Sequence, residues 1–473
     1  MAHLNELQRI ATATNGTRAF NTSGFNHTLD YVTNYLSANT NLKITKNMFS
    51  VSYFTLESNP VLLSSLNGKI TNHTYSKNRF LAEFLEVTFS SSVNFSNFIT
   101  LTAIPNASCS DADWLAAKPS ATHRIALVKR GDCAVADKGI LAAKYNVAGL
   151  LFYNDGKTSD RMLPTLERLG ENNSLPALFL SFDLGEKLAN AARNSSFTIA
   201  VRFVIPVAIE NVIPVNNICA DTPTGDPTQT ILIGSHADSV PTGPDINDNG
   251  SGTAANLAFA VVLARLFRTS TYPKYKYRVW FCWRGAEEIG ALGSNFHVTQ
   301  ARKSTILGER ITDYLVNLNF DMLGSPNFKF GIYDGRTIRN NTPPSAIPGS
   351  VRISALFRDW FIRHELPWDF ADIDGRGDYS SFLASGIAIG GLISGVDDIK
   401  SQEQRDRYDR LLGQGLGGLA NVVHDPCYHK VCDTIQNINL FGYEKMVQAA
   451  AFVIESLARL PDLKSWLYPI NEI

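Results

Sequence analysis

From about residue 210 the chain repeats one pattern: an apolar run of strand length, a polar loop, then a helical stretch. "QTILIGS" leads to "GTAANLAFAVVLARLF", and "KYRVWFCWRG" leads to "ALGSNFHVTQAR". "YLVNLNFDMLG" and "AIGGLISG" are further strand candidates. Alternation of this kind predicts an α/β fold, a mostly parallel mixed sheet covered by helices. In such sheets the chemistry gathers beyond the carboxyl ends of the strands.

The earlier chain has a different texture. "FNHTLDYVTNYLS" spaces Leu29, Val32 and Leu36 as one helical face, and strands follow it. From about 85 to 205, short β-like runs ("HRIALVKRGDC", "VAGLLFYND", "LPALFLSFDLG", "FTIAVRFVIP") alternate with loops around one helix, "AVADKGILAAKYN". With 473 residues the chain exceeds one ordinary core. The expected division is residues 1–80 as the first part of a main domain, 81–208 as an inserted β-rich domain and 209–473 as the main part.

The net charge is −1, from 43 basic and 44 acidic residues, so nothing points to nucleic acid as a partner. No apolar run reaches 18 residues, and no membrane span is expected. The first residues, "MAHLNELQRIATATNG", lack the apolar stretch of a signal peptide. Two features nevertheless favour secretion, which then needs a leader outside this sequence. One is a set of Asn-x-Ser/Thr sequons, at Asn15, Asn21, Asn26, Asn72, Asn94, Asn106, Asn172, Asn194 and Asn340, with a tenth at Asn249 that is expected to be bare. The other is cysteine placement. Cys427 and Cys432 are close enough to bridge a tight loop, and Cys109 and Cys133 flank a strand-like segment. Two bridges imply an oxidising compartment. Cys219 and Cys282 lie in apolar runs and are expected to be buried free thiols.

Four segments bring metal-ligand residue types to the predicted sheet edge. "TILIGS" ends in His236 and Asp238, with Asp248 beyond; "YRVWFCWRG" ends in Glu287-Glu288; "YLVNLNF" ends in Asp321; and "DPCYHKVCDT" supplies His429. Two histidines, several carboxylates and no ligating thiol form a zinc-type or manganese-type donor set. The set is large enough for two ions, one using His236 and one His429, with a carboxylate shared between them. Any one of these residues alone is more simply an ordinary strand-end or capping residue; the convergence of four segments carries the reading.

Competing motifs fail. Asp245, Asn247, Asn249 and Gly250 mimic the start of an EF-hand, but its twelfth position is Asn256 rather than glutamate. Gly-x-Ser-x-Gly and the Gly-rich phosphate loop are absent. Arg-Gly-Asp occurs at 130–132 and 376–378, a tripeptide that chance explains.

The stretches "SHADSV…GPDINDNGSG", "EEIGALGS", "NFDMLGS", "GDYSSF…IGGLISG" and "DPCYHKVCDT", in this order, resemble the secreted and vacuolar leucyl aminopeptidases of the di-zinc exopeptidase family. "CSDADW", "IALVKRGDC" and "AGLLFYND" resemble a protease-associated domain. The resemblance implies two zinc ions per chain, with His236 and His429 as terminal ligands, Asp248 bridging, and Glu288 and Asp321 completing one site each. It makes Glu287 the general base, Tyr428 the donor to the oxyanion and Asp238 the residue that orients His236. It places Arg376 where the substrate's free α-amine binds and Ile393 in the side-chain pocket. The implied substrates are peptides with a free N-terminus, preferably apolar and leucine-like. A monomer, secreted or delivered to a vacuole, is expected. Two departures stand out: Asp245 replaces a usual glycine and Ile393 an aromatic residue. Other readings on the same scaffold are weaker. A carboxypeptidase would need an arginine patch for the substrate carboxylate, a cyclase only one zinc, and a non-catalytic ectodomain none of these ligands.

Overall fold

The computed structural model describes residues 1–158, 160–170, 173–338 and 342–469. The chain forms two compact units, Met1–Ser50 with Pro214–Ile473, and Val51–Ile213.

The larger unit is built on an eight-stranded sheet. In chain order its strands are β1 (Lys43–Leu56), β2 (Val207–Asp221), β3 (Asp226–His236), β4 (Tyr277–Arg284), β5 (Tyr314–Phe320), β6 (Gly331–Asp334), β7 (Asp369–Asp372) and β8 (Ala388–Ile393). Their order across the sheet is β1-β2-β4-β3-β5-β8-β6-β7. The four central strands β4, β3, β5 and β8 are mutually parallel, while β2 joins β4 and β6 joins β8 antiparallel. Every residue of β4 and β5 is buried, as is β3 from Thr230 onward. Runs this apolar belong to strands covered on both faces.

The helices supply the cover. α1 (Ala2–Ala13) and α2 (Ser23–Asn39) come first, α2 opening where the Thr22 hydroxyl accepts the Phe25 N–H. α3 (Gly252–Leu266), α4 (Leu292–Lys303), α5 (Ala346–Arg363) and α6 (Leu440–Arg459) follow. α6 buries Tyr443, Met446, Ala450, Val453 and Leu457, a stripe at helical spacing. Met446, Val453 and Leu457 each contribute roughly 1.5–3 kcal/mol when fully buried.

The second unit holds its own sheet. Strands Ile125–Lys129, Gly149–Tyr153 and Ala177–Leu180 run parallel at its centre, with Val135–Lys144 and Phe182–Arg193 as helices. One apolar cluster, including Leu127, Leu151 and Phe203, packs on one set of side chains, and another, including Val128, Phe152 and Phe179, on the alternate set. Cys109 and Cys133 are disulfide-bonded here. Cys427 and Cys432 form a second bridge.

Cys219 and Cys282 are not the free thiols expected from their apolar surroundings; they form a third disulfide. The reason is topological. β2 pairs antiparallel with β4 and sets Cys219 directly opposite Cys282, with Cα atoms 4.1 Å apart. All six cysteines are thereby paired.

Seven of the sequon asparagines (15, 21, 26, 72, 94, 106 and 194) are exposed, and Asn249 is fully buried. Asn172 and Asn340 lie outside the described residues. Among the described residues, no helix is long and apolar enough to cross a membrane.

Candidate active site

Parallel register lines up the strand ends. His236 pairs with Arg284, and Gly234 with Asn319, so that His236 and Asp321 end their strands level with one another. Phe320 pairs with Leu392, which brings Ile393 to the same edge.

Two ligand groups form there and share one residue. His236 Nε2 lies 3.3 Å from Asp248 Oδ1 and 3.5 Å from Asp321 Oδ1. His429 Nε2 lies 3.3 Å from Asp248 Oδ2 and 3.1 Å from Glu288 Oε2. Each oxygen of Asp248 thus faces a different histidine. In each group the candidate ligand atoms all lie within 4.8 Å of one another. The five residues named as ligands from the sequence come together as two triads.

The electrostatics ask for cations. Burial works against a charge on His236, yet Asp321, Asp238 and Asp248 outweigh it and push its pKa well up. Burial also disfavours a proton on His429, and Tyr428, Glu288 and Asp248 reverse this. Burial raises Glu288 and Asp321. Glu288 Oε1, Asp321 Oδ1 and His429 Nε2 are buried with no hydrogen-bond partner among the described residues. Buried polar atoms left in this way are costly unless something coordinates them. The donor set is oxygen and imidazole nitrogen, which suits a zinc-type ion. Another cluster, Cys219 and Cys282 with His297, offers no thiolate because its sulfurs are bonded to each other.

The segment between His236 and Asp248 is held from three sides. Arg18, fully buried, donates from Nη1 to Ala237 O (2.6 Å), from Nε to Pro244 O (3.0 Å) and from Nη2 to Asp245 O (2.8 Å). Asp433 accepts the N–H groups of Asn247 (2.9 Å) and Asp248 (3.0 Å). Asn249 donates to Phe320 O (2.9 Å) and accepts the Gly252 N–H that opens α3 (2.8 Å). Its side chain is therefore committed to the turn and unavailable to sugar.

Asp245, the acid in place of the usual glycine, adopts a left-handed backbone with φ 46° and ψ 60°. Asp tolerates this region better than most residues. Its Oδ2 accepts the Val240 N–H at 2.7 Å. Burial, then Glu288, Asp433 and Asp248, push its pKa well up. The Arg18 guanidinium is the nearby compensating charge: it is buried at a cost, and Asp245 is the anion that most favours it.

Asp238 reaches the other ring nitrogen of His236 through its main chain rather than its carboxylate, and makes a second set of contacts beside it. His236 Nδ1 bonds the Asp238 main-chain carbonyl at 3.1 Å, while the carboxylate stands 3.7 Å away. That carboxylate instead accepts the N–H groups of Glu287 (3.2 Å) and Glu288 (3.3 Å). Asp238 thus fixes the tautomer of one histidine through its backbone and the Glu287-Glu288 turn through its side chain.

The triads open onto a cleft of about 440 Å³, lined by Glu287, Tyr428, Arg376, Asp374, Asp372 and Ile393 among others. Burial, reinforced by Glu288, Asp378 and Asp321, raises the pKa of Glu287 well above its ordinary range, with His236 opposing. The ring of Tyr428 stacks on His429 at 3.8 Å, and burial keeps its hydroxyl protonated, hence a donor. Arg376 Nε donates to Asp374 Oδ2 at 2.6 Å. A guanidinium repels an ammonium, so the group suited to an amine here is the Asp374 carboxylate that Arg376 holds. The second Arg-Gly-Asp is no exposed adhesion loop: Asp378 is 1% exposed and lies 3.8 Å from the buried Arg284.

Sequence reasoning missed Arg18, Asp433 and the Arg284–Asp378 pair. Lone charged residues carry no periodic signal, and only the fold shows them to be buried.

The model of Peptidase family M28 matches residues 217–454, and that of the PA domain residues 97–188. An aminopeptidase of Pseudomonas aeruginosa is 32% identical over 96% of this chain and 80% of its own length. A probable leucine aminopeptidase 2 of Aspergillus fumigatus is 34% identical (80% and 69%), and aminopeptidase Y of Saccharomyces cerevisiae 30% (94% and 74%). Among solved structures, an aminopeptidase from Aneurinibacillus sp. strain AM-1 shares the fold with a TM-score of 0.62, at 21% identity over 95% of this chain and 91% of that one. On the family match and on relatives of this identity and coverage, the chain belongs to peptidase family M28, carries a PA domain and is a hydrolase.

Proposed function

We propose that the enzyme is an aminopeptidase that releases apolar N-terminal residues, leucine among them, from peptides, using two zinc ions per chain. The observation that carries this is the pair of triads sharing Asp248, with Glu287 beside them in one cleft. Four carboxylates (Asp248, Asp321, Glu287 and Glu288) would be balanced in charge by two divalent ions. His236, Asp248 and Asp321 would hold one ion and His429, Asp248 and Glu288 the other; such ions supply carbonyl polarisation and acidify a water.

The chain's own residues do the rest. Glu287 takes a proton from the attacking water and hands it to the leaving nitrogen. The Tyr428 hydroxyl donates to the oxygen on which negative charge develops. Asp374, held by Arg376, and Asp372 on the cleft rim offer anions to the substrate's N-terminal ammonium, which gives exopeptidase selectivity. Ile393, Met322, Tyr333 and Phe370 give the cleft its apolar lining for the first side chain. Three disulfides and seven exposed sequons support a secreted or vacuolar glycoprotein.

The test is hydrolysis of leucyl-p-nitroanilide beside its N-acetylated form. The free-amine substrate should be cut, activity should vanish on chelation and return with zinc, and the acetylated form should resist. Equal cleavage of both forms would rule out the aminopeptidase reading.

A further inference from the structure

One charged pair in the cleft belongs to neither triad and has no part in the hydrolytic step. Lys329 Nζ lies 2.5 Å from Asp398 Oδ2. Both residues line the cleft, together with Ile393 and Val396. The Lys329 N–H donates to Ser394 O at 2.9 Å, which fixes it beside the end of β8. A Cβ built on Gly331 would stand 3.3 Å from both Lys329 Cε and Ile393 Cγ2, so the lysine stem flanks the apolar residue of the side-chain pocket. Asp398 is set by the Val396 N–H, which donates to its Oδ1 at 3.1 Å. His424 Nε2 approaches Asp398 at 3.6 Å, but burial lowers the pKa of His424 to about 4 and leaves it neutral. The pair itself is therefore one cation against one anion, apart from Asp372, Asp374 and Arg376 of the same cleft. The exposure is unequal: the Lys329 side chain is 12% exposed and that of Asp398 50%.

A paired charge in the wall of an apolar pocket presents a dipole, not a net charge. Either partner left alone would present a full charge to the substrate's side chain, in a cleft with less water to screen it. Selectivity then becomes a matter of which partner is free.

We infer that the Lys329–Asp398 pair sets the side-chain selectivity of the cleft. Paired, it adds no net charge to the wall beside Ile393, which suits uncharged side chains; with one partner removed, the other binds a side chain of opposite charge. This rests on the aminopeptidase reading above.

The experiment compares kcat/KM for leucyl-, glutamyl- and lysyl-p-nitroanilide on the full chain. Asp398→Asn should raise the glutamyl-to-leucyl ratio, and Lys329→Met the lysyl-to-leucyl ratio, each on the order of tenfold and mainly through KM. The double variant should return both ratios towards those of the parent enzyme. The swapped pair Lys329→Asp/Asp398→Lys restores a neutral wall and should behave likewise, which keeps the test open if a single variant fails to fold. Parallel loss on all three substrates in the single variants, with ratios unchanged within about twofold, would overturn the inference and make the pair a structural one. A parent enzyme that cuts none of the three would overturn the aminopeptidase reading itself.

Discussion

The two histidines of the site are held in different ways. His236 closes β3, its side chain 2% exposed, its Nδ1 bonded to a main-chain carbonyl, and the loop beyond it is tied down by Arg18 and Asp433. His429 sits on the loop closed by Cys427–Cys432, has a left-handed φ of 57° and a side chain 37% exposed, and rests against Tyr428. One half of the site is built by the sheet and its buried charges. The other is built by a cross-link and a stacked ring. They share Asp248 as a ligand, and Asp238 and Asp433 also hold backbone on both sides; the supports peculiar to each half should still be separable by substitution.

The largest effect should come from the residue belonging to neither half. Glu287→Ala should lower kcat by about 10²–10⁴-fold, with metal content, measured by plasma mass spectrometry, unchanged. Loss of an ion in that variant would mean that Glu287 is a ligand and that the halves are wrongly drawn.

Arg18→Met attacks the sheet-built half. It leaves three buried carbonyls without their donor. Each buried acceptor left unpaired costs about 1–3 kcal/mol, readable as a drop in denaturant midpoint. A change under about 0.5 kcal/mol would show that Arg18 does not hold the loop.

Cys427→Ser/Cys432→Ser attacks the other half. Freeing the loop should weaken one ion about 10–100-fold in competition with a chelator while the second stays tight. Equal weakening of both ions would remove the distinction between the halves.

The smallest effect is in the pH profile. Glu287 must be ionised to act as base, so kcat/KM rises with pH through its pKa. Burial and neighbouring carboxylates raise that pKa above its ordinary 4.5 and two dications would lower it again. The acid limb of kcat/KM in the metal-loaded enzyme should therefore lie below the pKa of Glu287 in the metal-free enzyme, read from the pH dependence of its carboxyl infrared band; coincidence of the two would mean that no cation sits beside Glu287.

The fold was readable in the sequence because strand–helix alternation is a strong signal; His236, Asp248, Glu288 and Asp321 were readable because they follow the ends of β3, β4 and β5, and His429 through the "DPCYHKVCDT" stretch. What was hidden depends on direction and depth. Cys219 and Cys282 pair because β2 runs antiparallel to β4, and alternation does not encode the direction of an edge strand. The two jobs of Asp238 look identical at a spacing of two residues from His236; only coordinates separate carbonyl from carboxylate. Left-handed backbones at Asp245, Ala286, Met322 and His429, each on or near a ligand, cost about 1–2 kcal/mol apiece. Asp245 and His429 are of types enriched in this region, while no residue preference announces Ala286 or Met322.

The proposed function depends most on two metal half-sites that share Asp248. Its most direct test is zinc stoichiometry after dialysis of the purified enzyme against excess zinc and then metal-free buffer. The expected value is near two per chain, falling to one or below in Asp248→Ala. A value near one in the parent enzyme, with full leucyl activity, would contradict it.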